Sequence, residues 1–195
     1  MEENSVLQLI NRLNPDREIS GDSEKWANWM SMLSPTSCVF CVKQHGKIVD
    51  ISILGNRIWV QAHPNCRCIY VPMRTKQLGT VTDAGMEGAD AYLFYEGRLP
   101  GYYIDKEHAQ QDGWQIVYDT LSEVLPGKMI GGDVYQNRNG KLPSVPGRIW
   151  YEADINYVSG YRNRQRILYS NDGLMFVTYD HYHTFYEITN YELIN

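Results

Sequence analysis

Long apolar runs are missing from this chain. No stretch approaches 18 consecutive apolar residues, so the sequence predicts no transmembrane helix and no membrane partner. A basic start followed by an apolar stretch is missing as well, because the chain opens Met1-Glu2-Glu3-Asn4, and no signal peptide is predicted. Synthesis in the cytoplasm is therefore expected, with export or particle association by a route that needs no signal peptide as the alternative. Positive charge is in the minority, 18 Lys and Arg against 23 Asp and Glu, for a net −5. Taken alone, this argues against tight nonspecific binding of nucleic acid, which wants a basic surface. Phe is scarce (4) while Tyr is abundant (15), and at 43% hydrophobic residues the chain is too apolar and aromatic to stay disordered.

Cysteine is also sparse, and all four residues fall early, at Cys38, Cys41, Cys66 and Cys68. Charge is uneven in the same sense: residues 1–80 carry 9 Lys and Arg against 7 Asp and Glu, and residues 81–195 carry 9 against 16. Both asymmetries predict two modules, 1–80 and 81–195, and 195 residues are enough for a compact domain plus a small one. In the first, Val6, Leu9, Ile10 and Leu13 form one apolar helical face ended by Asn14-Pro15, and Trp26, Met30 and Leu33 predict a second helix. Ile- and Val-rich stretches at 47–54 and 57–62, separated by Gly55-Asn56, predict a β-hairpin.

The second module starts with helical signals over 84–96, 106–112 with Asp105 as N-cap, and 120–125. Short β-branched and aromatic runs follow at 129–135, 148–155, 166–170, 174–179 and 185–188, with turns at Asn139-Gly140 and Asp172-Gly173. Helices first and then consecutive strands predict an α+β domain with a five-stranded antiparallel sheet. Its β portion concentrates Glu152, Arg162, Arg164, Arg166 and His181, with Lys106 upstream. A carboxylate and an imidazole can act as base and acid, and clustered guanidiniums can hold a phosphate without a metal. Arg and Glu on neighbouring strands also form surface ion pairs of little energetic weight.

Order and context carry more. Leu99-Pro100, Tyr103-Ile104 and Lys106 are followed by Gly113-Trp114, Pro126-Gly127-Lys128, Ile130-Gly131-Gly132-Asp133, Asn137-Arg138 and Gly140-Lys141-Leu142-Pro143. Then come Glu152-Ala153-Asp154-Ile155-Asn156-Tyr157, Arg162-Asn163, Arg166-Ile167-Leu168-Tyr169-Ser170 and Asp180-His181-Tyr182. With these, residues 84–188 resemble the barnase-like, guanyl-preferring bacterial ribonucleases. The resemblance implies Glu152 as general base, His181 as general acid, and Lys106, Arg162 and Arg166 as cations on the phosphoryl oxygens. It implies Tyr182 as an aromatic beside the substrate, and Tyr135, Asn137, Arg138 and Asn139 at the base-recognition loop. It also implies RNA as substrate, no catalytic cofactor, and a barstar-like acidic inhibitor. Where the family has an acidic residue after the Asn-Arg pair, this chain has Asn139, an amide with one acceptor oxygen and no charge.

Cys38-x-x-Cys41 and Cys66-x-Cys68, with His63 just before, offer thiolate and imidazole donors. Structural zinc on Cys38, Cys41, Cys66 and Cys68, or on three thiolates and one imidazole, is one reading; disulfides and free thiols are the others. Trp26, Trp29, Cys38-Val39-Phe40-Cys41, His45-Gly46 and His63-Pro64-Asn65-Cys66-Arg67-Cys68 resemble the terminal part of the phage head-morphogenesis (minor head protein) module, over residues 22–73. That resemblance implies an origin in a phage or mobile element and docking to a phage-type particle, and the fused arrangement resembles a toxin with its activity at the C-terminus. The competing class is a structural phage-type protein whose ribonuclease-like domain only binds RNA or a partner.

Overall fold

The computed structural model describes residues 26–31, 33, 37–50 and 62–190; the helix expected over 6–13 and residues 51–61 of the expected hairpin lie outside them. The described residues fall into two compact units, one reaching to Met73 and including Lys141–Pro143, the other spanning Arg74–Gly140 and resuming at Ser144. No described helix is long and apolar enough to cross a membrane.

The first unit holds β1 (Trp26–Met30), α1 (Val39–Gln44), β2 (Ile48–Asp50) and β3 (Ile69–Pro72), with β1 antiparallel between the other two strands. This corrects the helix expected at Trp26, Met30 and Leu33. A spacing of four residues is one helical turn but also two strand repeats, so Trp26 and Met30 fit both periods. Pairing with β2 and β3 selects the strand, and Leu33 lies beyond it with φ of 48°.

The second unit begins with β4 (Thr75–Gln77), a short 3₁₀ turn (Gly85–Glu87), α2 (Ala89–Glu96), β5 (Tyr103–Ile104), α3 (Lys106–Gln111) and α4 (Leu121–Val124). Five strands follow: β6 (Met129–Tyr135), β7 (Trp150–Asp154), β8 (Arg166–Ser170), β9 (Met175–Thr178) and β10 (Tyr186–Thr189). The expected single helix over 84–96 is broken at Gly88, the extended N-cap of α2. Strands β6 to β10 are antiparallel neighbours in chain order, but the sheet among the described residues has seven strands, not five. Strand β4 adds to β10, and β5 to β6, both in parallel. These two edges carry two or three residues each, too few to show a period, so only their partners define them. The fold is mixed α+β with short helices.

Strand alternation sorts the central sheet into two faces. Ala153, Ile155, Ile167 and Val177, each 0–1% exposed, form a core with Ala89 of α2. Each fully buried aliphatic side chain of this kind contributes about 1.5–3 kcal/mol. Glu152 and Asp154 project from the other face of β7. A bulge in β6 brings Asp133 into register with Glu152. Glycine is needed there twice: a Cβ on Gly131 would lie 2.6 Å from both Ala153 and Tyr103, and Gly132 has φ of +100°.

Candidate active site

Lys106 enters the site from the first position of α3, whose N-cap Asp105 accepts a 2.8 Å hydrogen bond from the His108 amide. Its ammonium donates to Glu152 Oε1 at 3.0 Å and lies 3.4 Å from Asp133 Oδ2. The Tyr182 hydroxyl donates to the other Glu152 oxygen, Oε2, at 2.6 Å. Burial pushes the Glu152 carboxyl up, but the Tyr182 and Lys106 hydrogen bonds, with the Lys106 and Arg166 charges, outweigh it and hold the group below the ordinary range. Glu152 is therefore an ionised, half-enclosed carboxylate, ready to accept a proton. Tyr182 is moved the opposite way, because burial and its bond to Glu152 both keep the phenol protonated.

A depressed Glu152 pKa fixes a sign. Were Glu152 the proton acceptor of a reaction, that capacity would be lost only as pH falls through its lowered value, which would set the acidic limb of kcat/KM below the ordinary Glu value of about 4.3. Lys106→Ala removes one hydrogen bond and one charge that favour the ionised form, and is expected to move that limb upward. A pH–rate series on the parent and variant checks this; a limb that stays in place overturns it. The same depression contributes stability above the unfolded-state pKa, and this is lost as pH falls through the folded value.

Two arginines share one buried carboxylate. Arg162 donates to Asp154 through Nε at 2.6 Å and Nη2 at 2.7 Å, and Arg166 Nε lies 2.9 Å from Asp154 Oδ1. Asp154 is 0% exposed. Arg166 is further tied by Nη1, which donates to the carbonyls of Asn163 and Gln165 at 2.8 and 2.7 Å. Burial lowers the Arg162 pKa, but Asp154 more than compensates and the guanidinium stays charged. Nη1 of Arg162 and Nη2 of Arg166 are not used in these bonds, and guanidinium donors of this kind can bind an anion.

His181 and Tyr182 sit in a turn with φ of 60° and 67°, a left-handed conformation that costs non-glycine residues about 1–2 kcal/mol each. The turn is held in place by its neighbours. The Thr178 hydroxyl accepts from the Tyr182 amide at 3.0 Å and donates to Asp180 at 3.0 Å. Asp180 accepts from the amides of His183 and Thr184 at 3.1 and 2.8 Å, and the Arg164 carbonyl accepts from the His181 amide at 3.0 Å. The exposed His181 ring lies 4.8 Å from the Tyr182 ring, so Tyr182 stands beside both the imidazole and the carboxylate. Arg164 contributes its carbonyl here, and its side chain is exposed.

Tyr135 stacks on Tyr182 with centroids 5.3 Å apart and planes 20° from parallel. Burial raises the Tyr135 pKa, opposed by a hydrogen bond with the Asn139 side chain. Asn137 turns the chain with φ of 44° and donates to Ser144 Oγ at 3.2 Å, while Arg138 and Asn139 are exposed on the same loop. The four cysteines belong to the other unit, where none is joined in a disulfide.

Two acidic residues essential to this geometry were not singled out from sequence, Asp133 and Asp154. A signal existed for Asp154, which lies two residues from Glu152 and thus on the same strand face, where a buried carboxylate needs a cation. Asp133 depends on the bulge, which no local pattern shows.

The family model for ribonuclease matches residues 86–189. A ribonuclease of Heyndrickxia coagulans is 54% identical over 102 residues, spanning 52% of this chain and 94% of that protein. A ribonuclease of Bacillus intermedius is 54% identical over the same length, and there the match spans 63% of the relative. A crystal structure of ribonuclease Sa2 with guanosine-2′-cyclophosphate aligns over 31% of this chain and 64% of its own, at 30% identity and a TM-score of 0.28. On the family match and the identity to the Heyndrickxia protein, this chain belongs to the ribonuclease family.

Proposed function

We propose that the domain over residues 86–189 is a metal-independent endoribonuclease that cleaves single-stranded RNA. The observation that carries this is the ionised Glu152, held between Lys106 and Tyr182 beside two oriented guanidiniums. Glu152 takes the proton of a ribose 2′-hydroxyl, whose oxygen attacks the adjacent phosphorus. His181 gives a proton to the departing 5′-oxygen, and the products are a 2′,3′-cyclic phosphate and a free 5′-hydroxyl. Water then opens the cyclic phosphate with the two roles exchanged. Lys106, Arg162 and Arg166 stabilise the charge that gathers on the phosphoryl oxygens, where one preorganised group is worth about 3–4 kcal/mol. The need for a 2′-hydroxyl makes the substrate RNA and not DNA.

Base choice rests on the loop that follows β6. Tyr135 with Tyr182 offers an aromatic platform, and Asn137, Arg138 and Asn139 stand at its edge. Guanine preference is expected to be weaker than a carboxylate at position 139 would give, because an amide cannot accept two N–H groups through charged oxygens. Cleavage of GpN and ApN dinucleotides in excess EDTA tests the proposal. Cleavage should persist in EDTA, and Asn139→Glu should raise the GpN to ApN ratio. Activity that vanishes with EDTA, or cleavage of DNA at a similar rate, overturns it.

The fused Cys-rich unit suits a toxin of phage or mobile-element origin that docks to a particle through the first unit. A cell making it needs a restraint, and an acidic barstar-like inhibitor covering Lys106, Arg162, Arg166 and His181 fits the cationic site. Products of genes adjacent to this one, added to the cleavage assay, test for it; failure of all of them to protect RNA removes this part of the reading.

A further inference from the structure

Five metal-binding side chains meet in the first unit, drawn from two segments far apart in sequence. Cys38 and Cys41 flank the start of α1, where Cys38 Sγ accepts from the Cys41 amide at 3.3 Å. From the second segment, His63 Nε2 lies 3.3 Å from Cys38 Sγ and 3.1 Å from Cys41 Sγ, and Cys66 Sγ lies 3.9 Å from Cys41 Sγ. The donor atoms of Cys38, Cys41 and His63 lie within 4.8 Å of one another, as do those of Cys41, Cys66 and Cys68. Cys41 and Cys68 are each 3% exposed, and Cys38, His63 and Cys66 are partly buried.

Two observations bear on how the five could hold an ion. A tetrahedral zinc ion with Zn–S of about 2.3 Å and Zn–N of about 2.0–2.1 Å separates its ligands by about 3.8 Å (S to S) and about 3.6 Å (S to N). The Cys41–Cys66 separation of 3.9 Å matches such an edge, and the two sulfur–imidazole separations are within about 0.5 Å of it. Separately, His63 Nδ1 is 2.8 Å from the Pro64 carbonyl. A carbonyl only accepts, so Nδ1 carries the proton and Nε2 presents its lone pair towards Cys38 and Cys41. Metal-binding histidines are oriented by this kind of second contact.

We infer that the first unit holds one structural zinc ion on Cys38, Cys41 and His63, completed by the Cys66 thiolate, whose separation from Cys41 matches a tetrahedral edge, in preference to Cys68 of the same three-sulfur group. The ion ties the start of α1 to the segment 63–66 that leads into β3. Of the two sets that the spacing left open, four thiolates or three thiolates and one imidazole, this is the second. It is independent of the ribonuclease reading, whose residues all lie in the other unit.

The full chain, purified in metal-free buffer, is expected to retain one zinc per chain by elemental analysis. Exchange for Co²⁺ should produce a tetrahedral cobalt spectrum with a thiolate charge-transfer band. His63→Ala and Cys66→Ser should lose both the stoichiometric zinc and the parent spectrum, while Cys68→Ser should keep them. If a variant fails to fold, the parent spectrum still decides, because three thiolates give weaker charge transfer than four. A parent chain without zinc and without a cobalt–thiolate band overturns the site. Metal lost in Cys68→Ser but retained in His63→Ala overturns the choice of ligands.

Discussion

Glu152→Ala is expected to lower kcat/KM for RNA cleavage by about 10²–10⁴-fold, the usual contribution of one positioned general base. His181→Ala should fall by a similar factor through loss of the proton delivered to the leaving oxygen. The double variant should be little worse than either single one, because the two groups act in one step. Glu152→Ala should leave the fold in place, since Lys106 keeps Asp133 at 3.4 Å and the hydrophobic core lies on the opposite face of β7. Initial rates on a GpN dinucleotide, beside circular dichroism of each variant, make the measurement. Folded variants that cleave as fast as the parent would remove Glu152 and His181 from the mechanism.

The second large effect is on stability. Asp154 is completely buried and meets both Arg162 and Arg166, so Asp154→Asn leaves two guanidiniums in a poorly solvated place without their shared ion-pair partner. Breaking a buried pair from one side typically costs about 3–5 kcal/mol. Arg162 retains 22% exposure against 6% for Arg166, which places the expected loss towards the lower end. Amide hydrogen exchange in β7 and β8 reports on this unit alone, and the slowest amides there should exchange roughly 10²-fold faster. Catalysis should fall too, since the unused donors of both arginines owe their direction to Asp154. Unchanged exchange rates would mean that the arginines find other partners.

What was legible in the sequence follows from the reach of the physics involved. Strands β6 and β8 occupy the runs expected for them, 129–135 and 166–170, because β-branched and aromatic content with flanking turn residues is a property of neighbouring residues. The start of α3 was readable for the same reason, as Asp105 caps a helix three residues deep into its own sequence. Strand β1 was misread because its apolar spacing satisfies two periods, and only β2 and β3 distinguish them. The two parallel edge strands have almost no local signature.

The chemistry divides along the same line. Residue types from Lys106 to Tyr182 supplied a carboxylate, an imidazole and a set of cations able to hold a phosphate, and the resemblance of their ordered motifs to a ribonuclease family implied RNA and a role for each. Tertiary structure alone decided that Asp154 serves two arginines, that Asp133 joins Lys106, and that His63 turns towards Cys38 and Cys41. Helix and strand preferences act over a few bonds and are written in adjacent residues. Charge pairing and metal ligation act across space between residues that are not neighbours in the chain, and exist only after the chain has closed around them.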